Sequence, residues 1–228
     1  MEVNQKMIDT QPLVNLSGST AISAAFHNGQ MIISNVGDSR AILGLREETE
    51  TGGKRTLLAV PLSQDQTPWR KDERDRIIAA GGRVMTIDQM EGKDPLDSDT
   101  DNDRRLGENG DIDVEGDPPR VWLADKTVPG ASFTRSLGDA VADGVGVYGE
   151  PEFFSKTVVK EDEILVLASD GVFEFVQNQV IIDLCAGSDN PVEACNKIMD
   201  ASYAKWLEYE RRTDDITAIV LFIRHHTA

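Results

Sequence analysis

Cysteine is scarce here: Cys185 and Cys195 are the two in 228 residues. Both fall in segments that read as helical, where cysteine is an ordinary small buried hydrophobe. That excludes a disulfide framework and sets the expected compartment as a reducing one, cytoplasmic or nuclear. Histidine is as rare, with His27 in a turn and His225 and His226 in the tail, all read as exposed polar residues. No Cys/His set with the spacing of a zinc site is present. No apolar run approaches the ~18 residues of a membrane-spanning helix. The first residues, Met1 to Lys6, are polar with no apolar stretch behind them, so a secretory leader is not expected. Positive charge is in deficit, 23 Lys and Arg against 40 Asp and Glu, for a net charge of −17. Such a surface repels phosphate backbones and disfavours nucleic acid as a partner.

What is present is ordinary for a single soluble domain: 39% apolar and 28% charged residues. Thr20–Phe26 and Gln30–Val36 are β-rich runs on either side of the turn His27-Asn28-Gly29, a hairpin pattern. Ala41–Leu45 and Thr56–Leu62 follow, and four strands with short connections predict an antiparallel meander. A helix is expected over Trp69–Ala80, with Thr67 as N-cap, Pro68 at the first helical position and Gly81-Gly82 as the stop. Residues 88–117 carry twelve acidic and three basic side chains, the composition of a mobile surface insertion. Glu163–Ser169 is nearly continuously apolar and reads as a strand buried on both faces. Helices are expected over Glu174–Ala186 and Pro191–Glu210, the second opened by Asn190 and Glu193 as cap and capping-box acid. Ile216–Ile223 is the closing core strand.

Three acidic positions sit where these strands begin or end. Asp170 follows Glu163–Ser169, Asp214 and Asp215 precede Ile216–Ile223, and Asp38 lies in the tight Gly37–Arg40 connection. If the two C-terminal strands are antiparallel neighbours, Asp170 and Asp214 share one rim. Carboxylates held that close repel one another unless a cation sits between them. Oxygen-only ligation favours Mg²⁺ or Mn²⁺ over Zn²⁺. Asp before glycine or before a strand is also common turn chemistry, so spacing alone leaves both readings open.

Six short segments then appear in order: Ser17-Gly-Ser-Thr-Ala21, Asn35-Val-Gly-Asp-Ser-Arg40, Ala80-Gly-Gly-Arg-Val84, Thr134-Arg-Ser-Leu-Gly-Asp139, Ala168-Ser-Asp-Gly-Val-Phe-Glu174 and Thr213-Asp-Asp-Ile-Thr217. Together they resemble the successive motifs of the metal-dependent type 2C (PPM) serine/threonine protein phosphatases. The resemblance implies an α/β sandwich, two mostly antiparallel sheets face to face with helices outside. It implies hydrolysis of phosphoserine and phosphothreonine in proteins by metal-activated water, with two or three Mg²⁺ or Mn²⁺ ions. Carried over position by position, Asp170 and Asp214 become metal ligands, Asp38 joins Asp170 at an accessory ion, and Glu174 stands where the family often has another acid. Asp215 occupies a position that is usually Asn. Asp139 and Arg40 match positions expected to organise turns by hydrogen bonds. Pro129–Asp139 and Ser202–Thr217 further resemble phosphatase domains fused to cyclic-nucleotide-binding and kinase modules, which implies such a fusion in the full-length protein.

The family also has an Asp-Gly-His-Gly segment, supplying a bridging aspartate and the general-acid histidine, and a basic residue that grips the phosphate. Neither precedes Ser17. Residues 1–228 are therefore expected to be one N-terminally incomplete phosphatase domain, lacking its first strands and weak or inactive in isolation. A non-catalytic pseudophosphatase with a binding or regulatory role is the alternative. Asp97, Asp99, Asp101, Asp103 and Glu108 fall in an EF-hand-like register without its glycine or flanking helices, which reads as a solvated acidic flap and not a Ca²⁺ loop.

Overall fold

The computed structural model describes residues 2–47, 56–93 and 118–224. Helix α1 (Glu2–Thr10) and a 3₁₀ turn (Pro12–Asn15) lead into β1 (Gly18–Ser19), β2 (Ala21–His27), β3 (Gln30–Val36), β4 (Arg40–Arg46) and β5 (Leu57–Pro61). A smaller layer follows: α2 (Lys71–Ala79), β6 (Arg83–Met85), α3 (Ile87–Met90), β7 (Arg120–Trp122), β8 (Pro129–Ala131), β9 (Leu137–Gly138) and α4 (Ala140–Asp143). The chain ends in β10 (Glu152–Thr157), β11 (Asp162–Ala168), α5 (Asp170–Phe173), α6 (Asn178–Ala186), α7 (Pro191–Tyr209) and β12 (Ala218–Phe222).

Two antiparallel sheets make the sandwich, one ordered β10-β3-β2 and the other β12-β11-β4-β5. Met31, Ile33, Ala41, Leu43, Leu62, Leu165 and Leu167 fill the space between them. On the other face of the four-stranded sheet, Ile42, Ile164 and Val166 pack against Ile181, Ile182, Cys185, Ala194 and Ile198 of α6 and α7. Strand β11 is thus covered on both sides, which is why its sequence is a continuous apolar run and not an alternating one. Cys185 and Cys195 are free thiols on these two helices, as expected. Asn190 caps α7 as read, accepting from the Glu193 N–H at 3.0 Å, whereas the Glu193 carboxylate accepts from the Asp189 N–H at 2.9 Å and not from the cap's own N–H as a capping box would.

The β2–β3 hairpin turns at Asn28 and Gly29 with φ of 49° and 74°, the pair of positive values a two-residue type I′ turn needs. The four-strand meander is not formed, because β3 and β4 lie in different sheets. The chain changes sheet at Gly37, where φ is +100° and an added Cβ would collide with Thr20. Helix α2 starts later than read. Arg70, not Thr67, is its N-cap, without a side-chain cap bond, while Thr67 is buried and its carbonyl accepts from the Arg70 N–H at 3.1 Å. The helix expected over Glu174–Ala186 starts later, as α6 at Asn178; residues 174–177 are a turn, and the single-turn α5 (Asp170–Phe173) before them was not read. Of the two sandwich sheets, the four-stranded one carries the helical layer of α6 and α7. On the outer face of its partner, Ile32 and Phe153 are 38% and 70% exposed. Of the acidic stretch read over 88–117, α3 occupies the start, while residues 94–117, with the EF-hand-like register, lie outside the described residues.

A buried ion-pair network fastens α2 to the loops beside it. Glu73, 1% exposed, receives Arg76 at 2.6 Å, Arg135 at 2.7 Å and the Thr134 hydroxyl at 2.5 Å. Burial pushes its carboxyl up, but the bonds from Arg76, Arg135 and Thr134 outweigh that and hold it at about 2. Glu73→Gln removes the carboxylate shared by the half-buried Arg76 and the buried Arg135, which keeps only Glu152, and is expected to cost about 3 kcal/mol near neutral pH. Because the folded carboxyl titrates below its ordinary 4.5, the stabilisation is full above that value and is lost as pH falls towards about 2. Urea unfolding across that window should show the deficit of the variant shrinking as the wild type loses the same charge.

Candidate functional site

The register of the four-stranded sheet determines which strand ends meet. Ala168 at the end of β11 pairs with Ala218 at the start of β12, and with Arg40 at the start of β4. Ile42 of β4 pairs with Pro61 at the end of β5. One rim therefore carries, in strand order, Asp214 before β12, Asp170 after β11, Asp38 before β4 and Asp65 after β5. Asp65 is a residue the sequence reading missed. Its signal was available, since it stands just past a strand end as Asp170 does.

Asp170 opens α5 directly from the end of β11, and its Oδ1 accepts from the Gly171 N–H at 2.8 Å. The Ser169 N–H donates to the Thr217 carbonyl at 3.0 Å, and the Thr217 N–H donates to the Ser169 hydroxyl at 3.1 Å. These bonds bind α5 to the 213–217 segment. Gly171 allows the approach, because a Cβ there would fall against the Asp215 carbonyl. Asp214 is exposed and its Oδ1 accepts from the Asp215 N–H at 2.7 Å. Asp215 faces α5 with its carbonyl, which accepts from the Ser169 hydroxyl at 3.1 Å.

Burial, and then repulsion from Asp170 and Asp65, drives the Asp38 carboxyl well above the usual carboxylate range. Burial and then Asp214 raise Asp170. Glu174 keeps an exposed surface, yet lost hydration and then the charges of Asp170 and Asp65 raise it too. The four residues read from the sequence, Asp38, Asp170, Glu174 and Asp214, thus sit in one mutually repelling field, with Asp65 as a fifth member.

Arg40 answers part of that charge. Its Nε and Nη2 hold the two oxygens of Asp65 at 3.0 and 2.7 Å, and its Nη1 donates to Asn178 at 2.9 Å. The guanidinium lies 4.6 Å over the ring of Phe173 in α5, so one buried side chain ties β4, the β5 end, α5 and α6. Asp139 also makes the turn-organising bonds expected of it. It is left-handed at φ 46°, accepts from the Ser136 hydroxyl at 2.5 Å, and donates its N–H to the Ser17 carbonyl at 2.9 Å.

A second acidic group competes for attention. Asp72, Glu73 and Glu152 have oxygens all within 4.8 Å of one another, which the rim carboxylates do not. That trio is neutralised by Arg70, Arg76 and Arg135, so no charge is left for an ion. The rim has an all-oxygen donor set, with Asp38, Asp170 and Glu174 raised in pKa, and one arginine, which fits a divalent cation that keeps part of its water.

The two-sheet sandwich is the fold of solved serine/threonine phosphatases. The crystal structure of a serine-threonine phosphatase 2C from Toxoplasma gondii superposes on 97% of the chain with a TM-score of 0.72, at 17% identity and over 64% of its own length. Stp1 from Staphylococcus aureus matches with a TM-score of 0.55 at 15% identity, over 98% of this chain and 65% of that one. The model of the family "Protein phosphatase 2C" matches residues 1–208, and the chain belongs to that family. Probable protein phosphatase 2C 35 of Arabidopsis thaliana is 39% identical over 225 residues, 98% of this chain and 61% of the relative. Probable protein phosphatase 2C 64 of Oryza sativa subsp. japonica is 30% identical over 91% of this chain and 42% of its own length. The chain therefore spans about three-fifths or less of these relatives.

Gly171→Ala should push α5 away from the 213–217 segment. The expected cost is about 1–3 kcal/mol, as for other overpacked sites. Faster amide exchange at Ser169 and Thr217 should accompany it, both readable by NMR.

Proposed function

We propose that the phosphatase 2C domain containing these residues hydrolyses phosphoserine and phosphothreonine in phosphoproteins, with Mg²⁺ or Mn²⁺ held at the rim of the four-stranded sheet. The observation that carries this reading is the set of carboxylates delivered to one rim by four strand ends, with Asp38, Asp170 and Glu174 all raised in pKa. Asp170 and Asp214 would hold catalytic metal, and Asp38 with Asp170 and Glu174 an accessory ion. When bound, such ions polarise phosphoryl oxygens and make water a nucleophile near neutral pH.

The chain's own residues prepare that site. Gly171 lets α5 close on the segment carrying Asp214, which fixes Asp170 beside it. Arg40 keeps Asp65 oriented and partly offsets the field around Glu174. Asp214, exposed, faces arriving ions and substrate. No Asp-Gly-His-Gly segment occurs within the 228 residues. Turnover by residues 1–228 alone should accordingly be weak, and the pseudophosphatase reading draws its support from the same observation. Fusion to kinase or cyclic-nucleotide modules draws only on the motif likeness noted above. Among the described residues no helix is long and apolar enough to cross a membrane.

Thermal unfolding under Mn²⁺ titration tests the site. At about 100-fold above Kd a bound ion stabilises by about 2.7 kcal/mol, and each kcal/mol moves the midpoint of a domain this size by about 2–4 °C. Asp170→Asn should abolish the Mn²⁺ shift. Asp38→Asn should raise the metal-free midpoint by relieving repulsion, and weaken the Mn²⁺ response. An unchanged Mn²⁺ shift in Asp170→Asn would overturn the assignment, as would family-like phosphopeptide turnover by Asp170→Asn in a longer protein.

A further inference from the structure

The described arginines up to Arg135 are all engaged. Arg40, Arg46, Arg70, Arg76 and Arg135 hold carboxylates. Arg74, Arg83 and Arg120 donate to backbone carbonyls. Arg211 and Arg212 differ. Both are exposed, and among the described residues neither makes an ion pair, a side-chain hydrogen bond or a ring contact. The acids next to them do not take them up: Glu208 is held by Lys205 at 2.8 Å, and Glu210 lies in no ion pair with a described residue. Two adjacent guanidiniums without a counter-charge run against a net charge of −17.

Their place is fixed from both sides. Helix α7 ends at Tyr209, and Glu210 turns to extended backbone while its N–H donates to the Trp206 carbonyl at 2.7 Å. Trp206 Nε1 donates to the Gly171 carbonyl of α5 at 2.7 Å. Phe175 meets Trp206 edge-on and stacks on Tyr209, with ring centroids 4.7 and 5.1 Å apart. The helix end is thereby pinned to the turn that opens with Asp170. On the other side, Thr217 and Asp215 are bonded to Ser169. Arg212 stands two residues before Asp214, so their Cα atoms lie within about 7 Å.

An extended peptide advances about 3.3 Å per residue, so a phosphoresidue at the rim brings its neighbours two to four positions away within reach of a long side chain there. The rim carboxylates repel acidic neighbours, whereas a guanidinium accepts a carboxylate in a two-pronged pair. Opposed charges at the edge of a site choose partners and fix their register. We propose that Arg211 and Arg212 determine substrate specificity by receiving acidic side chains that flank the phosphoserine or phosphothreonine, so that the domain takes phosphosites in acidic sequence. This rests on the phosphatase reading of the rim.

Amide NMR of the full 228-residue chain in Mg²⁺ is the test, at about 0.15 M salt, where the Debye length of ~8 Å screens the general repulsion of the acidic surface. A phosphoserine peptide flanked by aspartates should bind about fivefold tighter than one flanked by alanines, the worth of two exposed ion pairs. The shifts should centre on Tyr209, Arg211 and Arg212. Arg211→Ala with Arg212→Ala should erase that preference, leave affinity for the alanine-flanked phosphopeptide unchanged, and leave the melting temperature unchanged, since both side chains are exposed. Lysine at both positions should keep most of the preference. The unphosphorylated aspartate peptide without metal separates this reading from that of the rim. If the rim holds no ion, Mn²⁺ leaves the unfolding midpoint unmoved while this peptide still shifts Arg211 and Arg212. Equal affinity of the wild type for the two phosphopeptides, or shifts mapping elsewhere, would overturn the proposal. So would a loss of affinity for the alanine-flanked phosphopeptide in the double alanine variant, which would mean that the arginines grip the phosphate itself.

Discussion

Everything at the site depends on the antiparallel register of β12-β11-β4-β5. In an antiparallel sheet the end of one strand abuts the beginning of the next, so residues far apart in sequence meet if they flank strands on the correct side. Here the Ala168–Ala218, Ala168–Arg40 and Ile42–Pro61 pairings bring four such flanks to one rim. A slip by one residue would turn every side chain of the strand to the opposite face. Register is held by burial: alternate residues of β11 enter the inter-sheet core, and the others enter the layer under α6 and α7. The apolar packing thereby positions the acids.

Most strands and helices were legible in the sequence because each carries its own local signal. The Asn28-Gly29 turn, the unbroken apolar run of β11, and the Asn190–Glu193 cap all act over a few residues, and the structure forms all of them. The partition of strands between sheets was not legible. Gly37 and Asp38 look like any tight turn between neighbouring strands, yet the chain there crosses from one sheet to the other. What decides it is tertiary. The Gly37 N–H donates to the Gln66 side chain at 2.6 Å, and the Gln66 N–H donates back to the Gly37 carbonyl at 3.1 Å. Gln66 is fully buried and joined to Glu152 as well. The same loop explains the late start of α2, since Thr67 is drawn inward and Arg70 is held by Asp72 and Glu152.

The site divided similarly. Asp38, Asp170 and Asp214 were found from their places at strand ends, and Glu174 only through the family resemblance. Asp65 obeys the same strand-end rule and was overlooked because β5 was read as continuing to Leu62 and the next residues as a connection to the helix. Arg40 was read as a turn organiser, and its reach is longer. Its bonds join Asp65 and Asn178, which are 25 and 138 residues away. No local pattern reports a side chain that spans four elements.

The two acidic groups of this molecule show that proximity alone does not make a cation site. Asp72, Glu73 and Glu152 are the closer set, yet three arginines satisfy them, and the pKa of each is lowered. A cation entering there would have to displace guanidiniums that already form short, charge-assisted bonds in a partly buried setting. The rim is looser, but Asp38, Asp170 and Glu174 are pushed the other way, above their usual range, by burial and by neighbouring carboxylates. A divalent ion there would relieve the repulsion that raises them. The opposite signs of these shifts, at two places that look alike in composition, separate an ion-pair network that builds the fold from a group of carboxylates whose repulsion a divalent ion would relieve.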